Sequence, residues 1–519
     1  MFTLPDVPGP YPVGATTFAV PIDLPNPQDR IVGDGKVKAT AAGNPHEPAL
    51  KLEELAFTAF YPAEVNGGRR VRKGMAWLPN PVWGTLRGYA HFSKWRYSLI
   101  TWLLGIPARY IKIPVYSNAP LLDPQDAKDF PEGSWPLVLF SHGLAGNRTN
   151  YSHFCSRLAS HGNVVLAFEH RDGTGPFIET LSSVPGRHEP KSPDYKLYLH
   201  PDDVIWDETV DRNKYPLKKD QLRFRQLEIY LAYTHFKRFV SGVLEKDAEA
   251  LPQPEIHTID GPWNFNLTSR SHDRQFWESW LKTGSRPKVE CDTNICLAGH
   301  SFGGATVLSV LSTKPPTFAG QEFPHIPFTH AIALDPWMDP LPSPVPAPLA
   351  AASSVPGERS AETPRLLVIN SEGFTLWDDH FKRLEDVVRS WNEAPREDNG
   401  EARPGGTEEK SNASGERATL VTIVRSQHIS FSDFGVLVPF GRLAREGKKY
   451  LDVTCELAVA FLQGRQSGGG GDPNAALEEV LARQTKVAGE VEPINVHKPD
   501  SETEWKKRIV GEVGDIVVH

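Results

Sequence analysis

A serine flanked by glycines stands at Gly299-His300-Ser301-Phe302-Gly303, inside the longer run from Cys296 to Ala305. Apolar Ile295, Leu297 and Ala298 lead into it, and Ala305, Val307, Leu308, Val310 and Leu311 follow at mostly helical spacing. The pattern predicts a strand, a tight turn and a helix, with the glycines giving the chain room to reverse at the serine. A serine held at the end of a strand can attack an ester carbonyl if three further groups are supplied. It needs a base to take its proton, a carboxylate to orient that base, and N–H donors for the negative oxygen that forms.

Strand, turn and helix around Gly-x-Ser-x-Gly form the nucleophile elbow of the α/β-hydrolase fold. There the nucleophile, acid and base follow in that chain order, each on a loop at the C-terminal side of the sheet. Ser301, Asp335 and His428 satisfy the order. Asp335 directly follows the strand-like Ala331-Ile332-Ala333-Leu334, and His428 lies a few residues beyond another at 419–424. The competing acids are Glu372, just after the apolar run at 366–369, and Asp378 or Asp379. One oxyanion donor is the Phe302 amide. The other comes from Ser141-His142-Gly143-Leu144-Ala145-Gly146, with the Leu144 N–H as the choice. His142 competes as a base, but it precedes the nucleophile in the chain, and support of the loop is its plainer role.

The elements that must position these residues show in the apolar pattern. From Pro136 onward, short apolar runs alternate with helical stretches. Strands are expected at 137–140, 164–168, 295–298, 331–334, 366–369 and 419–424, with helices over 150–160 and 217–244. This predicts an α/β-hydrolase fold with a mostly parallel central sheet and helices on both faces. The first 130 residues carry strand-like pieces at 15–22, 52–61 and 71–77, read as an antiparallel edge leading into that sheet. At 519 residues the chain can bury a large core, and it shows no repeats. We divide it into one catalytic domain over 1–465, with an N-terminal extension, and a glycine-rich linker and C-terminal tail over 466–519. The segments 340–360 and 392–417 lack the apolar area to fold alone and are expected as inserted surface loops.

Composition excludes other classes. A formal net charge of −8 is not the cationic footprint of a nucleic-acid binder, and Arg69-Arg70-Val71-Arg72-Lys73 reads as a solvated edge or loop. Cys155, Cys291, Cys296 and Cys455 form no C-x-x-C pair and read as free core thiols of a reducing compartment. No signal peptide and no membrane-crossing run is visible, so a cytoplasmic location is expected. Residues 95–115 are aromatic and aliphatic with Arg96, Arg109 and Lys112 among them. They are expected as an amphipathic helix, either packed over the sheet or in peripheral contact with a membrane. No cofactor and no metal are expected. The tetrad Glu169-His170-Arg171-Asp172 holds ligand-type side chains, but neighbours on a strand end point in different directions. A buried ion-pair network beneath the active site is the expectation instead.

An ordered set of blocks resembles the platelet-activating-factor acetylhydrolases of the plasma and intracellular type II family. The blocks are Gly9-Pro10-Tyr11-Pro12-Val13-Gly14, Phe140-Ser141-His142-Gly143-Leu144, Leu158-Ala159-Ser160-His161-Gly162 and Glu169-His170-Arg171-Asp172. They continue with the run from Gly299 to Thr306, Ala333-Leu334-Asp335-Pro336-Trp337-Met338, Ile369-Asn370-Ser371-Glu372, and His428 with Phe431-Ser432-Asp433-Phe434. The resemblance implies a calcium-independent serine esterase that removes short or oxidised sn-2 acyl groups from glycerophospholipids. It implies Ser301 as nucleophile, Asp335 as acid, His428 as base and the Leu144 and Phe302 amides as the oxyanion hole. It also implies reaching substrate at or near a membrane surface, which residues 95–115 would suit. The insertions depart from the animal pattern and leave the acyl specificity open. A carboxylesterase or lipase acting on other esters is the alternative, and a binding protein on the same fold a remote one.

Overall fold

Leu137-Val138-Leu139-Phe140 is apolar on both of its faces, so the strand that carries it must be covered on both sides. The computed structural model describes residues 2–22, 24, 26–38, 47–65, 72–94, 105, 107–127, 130, 133–179, 195–242, 256–259, 271–282, 284, 286–344, 347–349, 363–393, 416–463, 474–497 and 503–519. Eleven strands form the main path of its large sheet: β1 (Phe2–Thr3), β2 (Val13–Pro21), β3 (Glu54–Pro62), β4 (Ile111–Ser117), β5 (Trp135–Ser141), β6 (Val164–Phe168), β7 (Ile295–His300), β8 (Phe328–Leu334), β9 (Arg365–Ser371), β10 (Ala418–Ile423) and β11 (Ile516–Val518). Their spatial order is β1-β4-β2-β3-β6-β5-β7-β8-β9-β10-β11. From β6 to β10 every neighbouring pair is parallel, while β3 runs antiparallel to both β2 and β6. The mostly parallel sheet is as the apolar pattern predicts; at its start β2 and β3 pair antiparallel as expected, while β4 runs parallel to both β1 and β2.

Alternation along each parallel strand divides the core in two. Leu137, Leu139, Leu297, Ala333 and Val368 face one cluster, and Val138, Phe140, Ala298, Leu334 and Ile369 face the other. The first cluster is closed by α3 (Pro216–Val240), α4 (Ser271–Trp280), α5 (Phe302–Leu311) and α7 (Asp378–Asn392). The second is closed by α2 (Ser152–Ser160), α8 (Arg442–Gln463) and α9 (Ala475–Gln484). Between α5 and α7 in the chain lies the single turn α6 (Glu372–Thr375), and α1 (Val82–Phe92) precedes β4.

Register decides where chemistry can be placed. Ser141, Gly299, Ala333, Val368 and Leu420 lie side by side across β5, β7, β8, β9 and β10. Two residues further along these chains come Gly143, Ser301, Asp335 and Asn370, so one edge of the sheet gathers the glycine loop, the serine and the acid.

One expectation is corrected. Residues 111–115 are not helical: Ile111, Ile113 and Val115 are buried and alternate with half-buried Lys112, Pro114 and Tyr116, a period-two pattern that forms β4. Those inward side chains are spent on the core and have no face to offer a lipid surface. Residues 95–104 and 106, the greater part of the stretch expected to make membrane contact, lie outside the described residues. The tail returns to the sheet. Within 466–519, α9 packs on α8, and β11 pairs antiparallel with β10, where Ile516 is fully buried. An uncovered β10 would present an open row of N–H and C=O groups, which β11 satisfies. Of the insertions, residues 345–346, 350–360 and 394–415 lie outside the described residues, as do 69–71 of the basic run and 466–473 of the glycine-rich linker. Cys155, Cys291, Cys296 and Cys455 are all buried, and none forms a disulfide. Among the described residues no helix is long and apolar enough to cross a membrane.

Candidate active site

Ser301 follows β7 directly and adopts φ 58° and ψ −117°, a backbone region that L-residues rarely occupy. Three backbone bonds hold it there. Its N–H donates to Leu334 at 2.9 Å, and its carbonyl accepts from Ala305 and from Trp337, each at 3.0 Å. Two glycines make the turn feasible. A Cβ on Gly303 would lie 2.0 Å from the Ser141 carbonyl, and one on Gly143 would lie 2.9 Å from the Ser301 Cβ.

Across the sheet edge, Ser301 Oγ lies 2.8 Å from His428 Nε2, and His428 Nδ1 lies 2.6 Å from Asp335 Oδ2. A carboxylate oxygen only accepts, so Nδ1 carries the proton and Nε2 offers its lone pair to the serine hydroxyl. Asp335 is fully buried, and its carboxylate is held by the Ser371 amide at 2.7 Å and the Ser371 hydroxyl at 2.7 Å. His428 keeps 37% of its side chain exposed, so its ring is reachable from outside while Asp335 is shielded. Its ring is stacked on Phe374 at 4.3 Å between centroids. The competing acids are engaged elsewhere. Glu372 accepts from the Arg425 amide at 2.7 Å and the Ile509 amide at 3.2 Å, and exposed Asp378 pairs with Lys507 at 3.3 Å.

The loops are tied to one another through His300. Its Nε2 lies 3.0 Å from the His428 carbonyl, which only accepts, so that nitrogen is protonated. Nδ1 therefore accepts from the Tyr151 hydroxyl at 2.8 Å, and that hydroxyl accepts from the Gly143 amide at 3.2 Å. The neighbouring Phe302 N–H opens α5 and belongs to the donors that a helix leaves without an internal partner. It directly follows Ser301 in the chain and lies at the positive end of the helix dipole. Leu144 stands one residue beyond Gly143, on the same loop. Asp433, in the segment after the base, accepts from the Ser152 and His153 amides at the start of α2, both at 3.0 Å, and from Trp77 Nε1 at 3.0 Å.

In the tetrad, three side chains form the expected buried ion pairs and His170 is hydrogen-bonded to Glu228. Glu169 pairs with Arg148, His170 with Glu228, Arg171 with Glu54 and Asp172 with Arg225, so its four side chains serve four separate partners. His300, Asp335 and His428 offer possible metal-ligand atoms within 4.8 Å of one another. Their ring nitrogens and carboxylate are already spent on each other, on Ser301, on Tyr151 and on the His428 carbonyl, and form a proton-donor chain. His142 is not placed as a base. Its Nδ1 lies 2.7 Å from the Gly143 carbonyl, and its Nε2 accepts from the His170 amide at 3.2 Å.

Burial, followed by the Arg225 cation, pushes the His142 imidazole down to about 4. Its folded value lies below the ordinary 6.5 or so of an unfolded chain, so on acidification the unfolded state takes up the proton first. The stability it contributes is complete above that value and is lost as pH falls toward 4. Between pH 6.5 and 5, wild type should lose about 1.4 kcal/mol per pH unit more than His142→Asn, which has nothing to titrate there. Guanidinium unfolding midpoints of both proteins across that window check this. A constant difference between them would show His142 free to protonate in the folded state.

Ser301, Asp335 and His428 are thus brought together at one edge with the Phe302 amide and the Leu144 loop. Ser371, Phe374, Tyr151 and His300 were not singled out as site residues in the sequence. Ser371 and His300 lie inside quoted blocks, but only contact geometry gives them roles.

A family model described as platelet-activating factor acetylhydrolase, isoform II, matches residues 2–468. A putative phospholipase A2 of Schizosaccharomyces pombe is 28% identical over 294 residues, covering 56% of this chain and 58% of that protein. The platelet-activating factor acetylhydrolase of Bos taurus is 32% identical over 209 residues, covering 39% of this chain and 35% of that protein. The chain spans less than two thirds of the length of each. A ferulic acid esterase of Streptomyces cinnamoneus superposes with a TM-score of 0.46 at 15% identity, over 89% of this chain and 92% of that one. Matched by its family model along nearly the whole length, the chain belongs to the platelet-activating factor acetylhydrolase isoform II family.

Proposed function

We propose that the protein is a calcium-independent serine esterase that removes the short, acetyl-sized sn-2 acyl group of platelet-activating factor and related phospholipids. The observation that carries this reading is the continuous chain from Ser301 Oγ through His428 to Asp335, at 2.8 and 2.6 Å. Ser301 attacks the ester carbonyl as His428 Nε2 takes its proton, and Asp335 stabilises the imidazolium that results. The Leu144 and Phe302 N–H groups receive the carbonyl oxygen as it becomes negative. The intermediate collapses when His428 returns the proton to the leaving glycerol oxygen, leaving acetyl-Ser301. Water, activated by the same imidazole, then releases acetate.

The test compares purified enzyme on a choline phospholipid with an acetyl group at sn-2 and on the same headgroup with two long chains, with and without chelator. The acetyl lipid should turn over unchanged by chelator, and the long-chain lipid far more slowly, because its extra methylenes need an apolar place to go. Preference for the long-chain lipid, or for simple soluble esters, would replace the acetylhydrolase assignment with a lipase or general carboxylesterase. Peripheral membrane contact through the part of 95–115 that precedes β4 belongs to the same proposal. It is read as faster turnover of the acetyl lipid in vesicles than as monomers, reduced in Trp102→Ala; equal rates would remove it. A cytoplasmic location also belongs here, supported by four buried cysteines of which none forms a disulfide.

A further inference from the structure

Arg225 carries more bonds around the proposed site than any catalytic role requires of it. It lies on α3, its side chain is fully buried, and its guanidinium hydrogen bonds go to groups that shape the loop beside Ser301. Nη1 donates to the His142 carbonyl at 2.6 Å and to Ser141 Oγ at 3.1 Å. Nη2 donates to Thr174 Oγ1 at 2.6 Å, and Nε donates to Asp172 Oδ2 at 2.8 Å. The Thr174 carbonyl in turn accepts from the Ala145 amide at 2.8 Å. The loop holding Leu144 is therefore fastened on both sides of that residue, at His142 and at Ala145, by groups that Arg225 joins. The guanidinium carbon also sits 4.6 Å from the centroid of the Phe302 ring, the residue that supplies the second amide.

We propose that Arg225 is the positioning residue that keeps the two halves of the oxyanion hole, the Leu144 loop and the start of α5, at one fixed separation. The proposal rests on the reading of Leu144 and Phe302 as the oxyanion donors. A buried ion pair is a poor device for stability, because desolvation offsets most of the attraction. It is a good device for geometry, since the planar fork of a guanidinium sets several acceptors at once. The acceptors are themselves fixed. Ser141 Oγ lies 2.7 Å from His170 Nε2, and His170 Nδ1 lies 2.6 Å from Glu228 Oε2. That chain resembles a nucleophile, base and acid in spacing, but Ser141 and His170 are fully buried and no substrate reaches them. Its role is to hold Ser141 as a fixed acceptor for Arg225. Burial pushes His170 well below and Glu228 well above their ordinary values.

The experiment uses Arg225→Lys in the full chain, with active sites counted by an organophosphate probe so that rates refer to folded enzyme. Lysine keeps the charge beside Asp172 but loses the fork. Turnover of p-nitrophenyl acetate should fall on the order of 10- to 100-fold, since a donor displaced by about an ångström is worth up to about 100-fold. KM should stay within about threefold, because the ground-state ester does not use the hole. Affinity for a trifluoromethyl ketone, whose adduct with Ser301 carries the oxyanion, should fall by the same factor as kcat/KM. A variant with wild-type kcat and only a lowered melting temperature would reduce Arg225 to a scaffold residue and overturn the proposal. So would a lowered kcat with unchanged affinity for the ketone. If Arg225→Lys does not fold, Ser141→Ala removes one acceptor and no charge, and the same split should appear there at roughly threefold to tenfold. Failure of the site reading itself gives a different result: wild type inert to the probe, or Ser301→Ala still active.

Discussion

Ser301→Ala is expected to abolish ester turnover while leaving the fold intact. In another triad hydrolase, loss of the nucleophile costs on the order of 10⁶ in kcat, and a loss of that order is expected here. Only Oγ is removed. The three backbone bonds that hold residue 301 at φ 58° involve its N–H and carbonyl, which alanine keeps. Alanine at this position bears the same backbone strain as serine, so the melting temperature should change little. The check is p-nitrophenyl acetate turnover and organophosphate labelling of purified wild type and variant, with circular dichroism for the fold. Turnover retained by the purified variant would reject covalent catalysis at Ser301. A folded wild type inert to the organophosphate would favour a binding protein built on this fold.

The second large effect is expected at Asp335. Asparagine there must turn either its oxygen or its amino group toward His428 Nδ1, and the other end then meets Ser371. With the oxygen on Nδ1, the amide NH2 faces the Ser371 N–H, donor against donor. With the NH2 on Nδ1, the imidazole shifts to the tautomer that has no lone pair for Ser301. In a related triad the corresponding change costs about 10⁴ in kcat, and Asp335→Asn should fall by a similar factor. Glu372→Gln should stay near wild-type turnover, since its carboxylate binds the Arg425 and Ile509 amides and not the base. It should register in stability instead, through the Arg425 pair at 3.5 Å. Parallel kcat measurements on the two variants decide the matter. A crippled Glu372→Gln beside a normal Asp335→Asn would move the acid to the end of β9.

Some of this was legible because local chemistry and pattern agree. Strand, turn and helix around Ser301 follow from apolar spacing and from glycines where a Cβ would strike backbone. The parallel strands β5 to β10 follow from apolar runs too continuous for a sheet with one wet face. Each expected strand there appears within a few residues of its place. Residues 111–115 show how the same reasoning fails. Aromatic, aliphatic and basic residues crowd the window from 95 onward and suggest a helical face, while the strand period begins only at Ile111 and runs for seven residues. A mixed window averages two periods, and the longer one was read.

The sequence by itself determined the chain order Ser301, Asp335 and His428, the parallel sheet, and the choice of Phe302 and the glycine loop as neighbours of Ser301. These depend on residues close together in the chain, or on the order in which strands occur. Tertiary structure alone decided which carboxylate meets His428. Asp335 and Glu372 both follow strands, and what separates them is register across β8 and β9 together with the path of the loop after β10. It alone decided that the tetrad serves four separate partners, that Arg225 on α3 reaches the loop of Leu144, and that β11 closes the edge beside β10. Each of these joins residues dozens to hundreds of positions apart. The physical reason is that a side chain's partner is fixed by which backbone surfaces pack together, and sequence spacing carries no information about that distance.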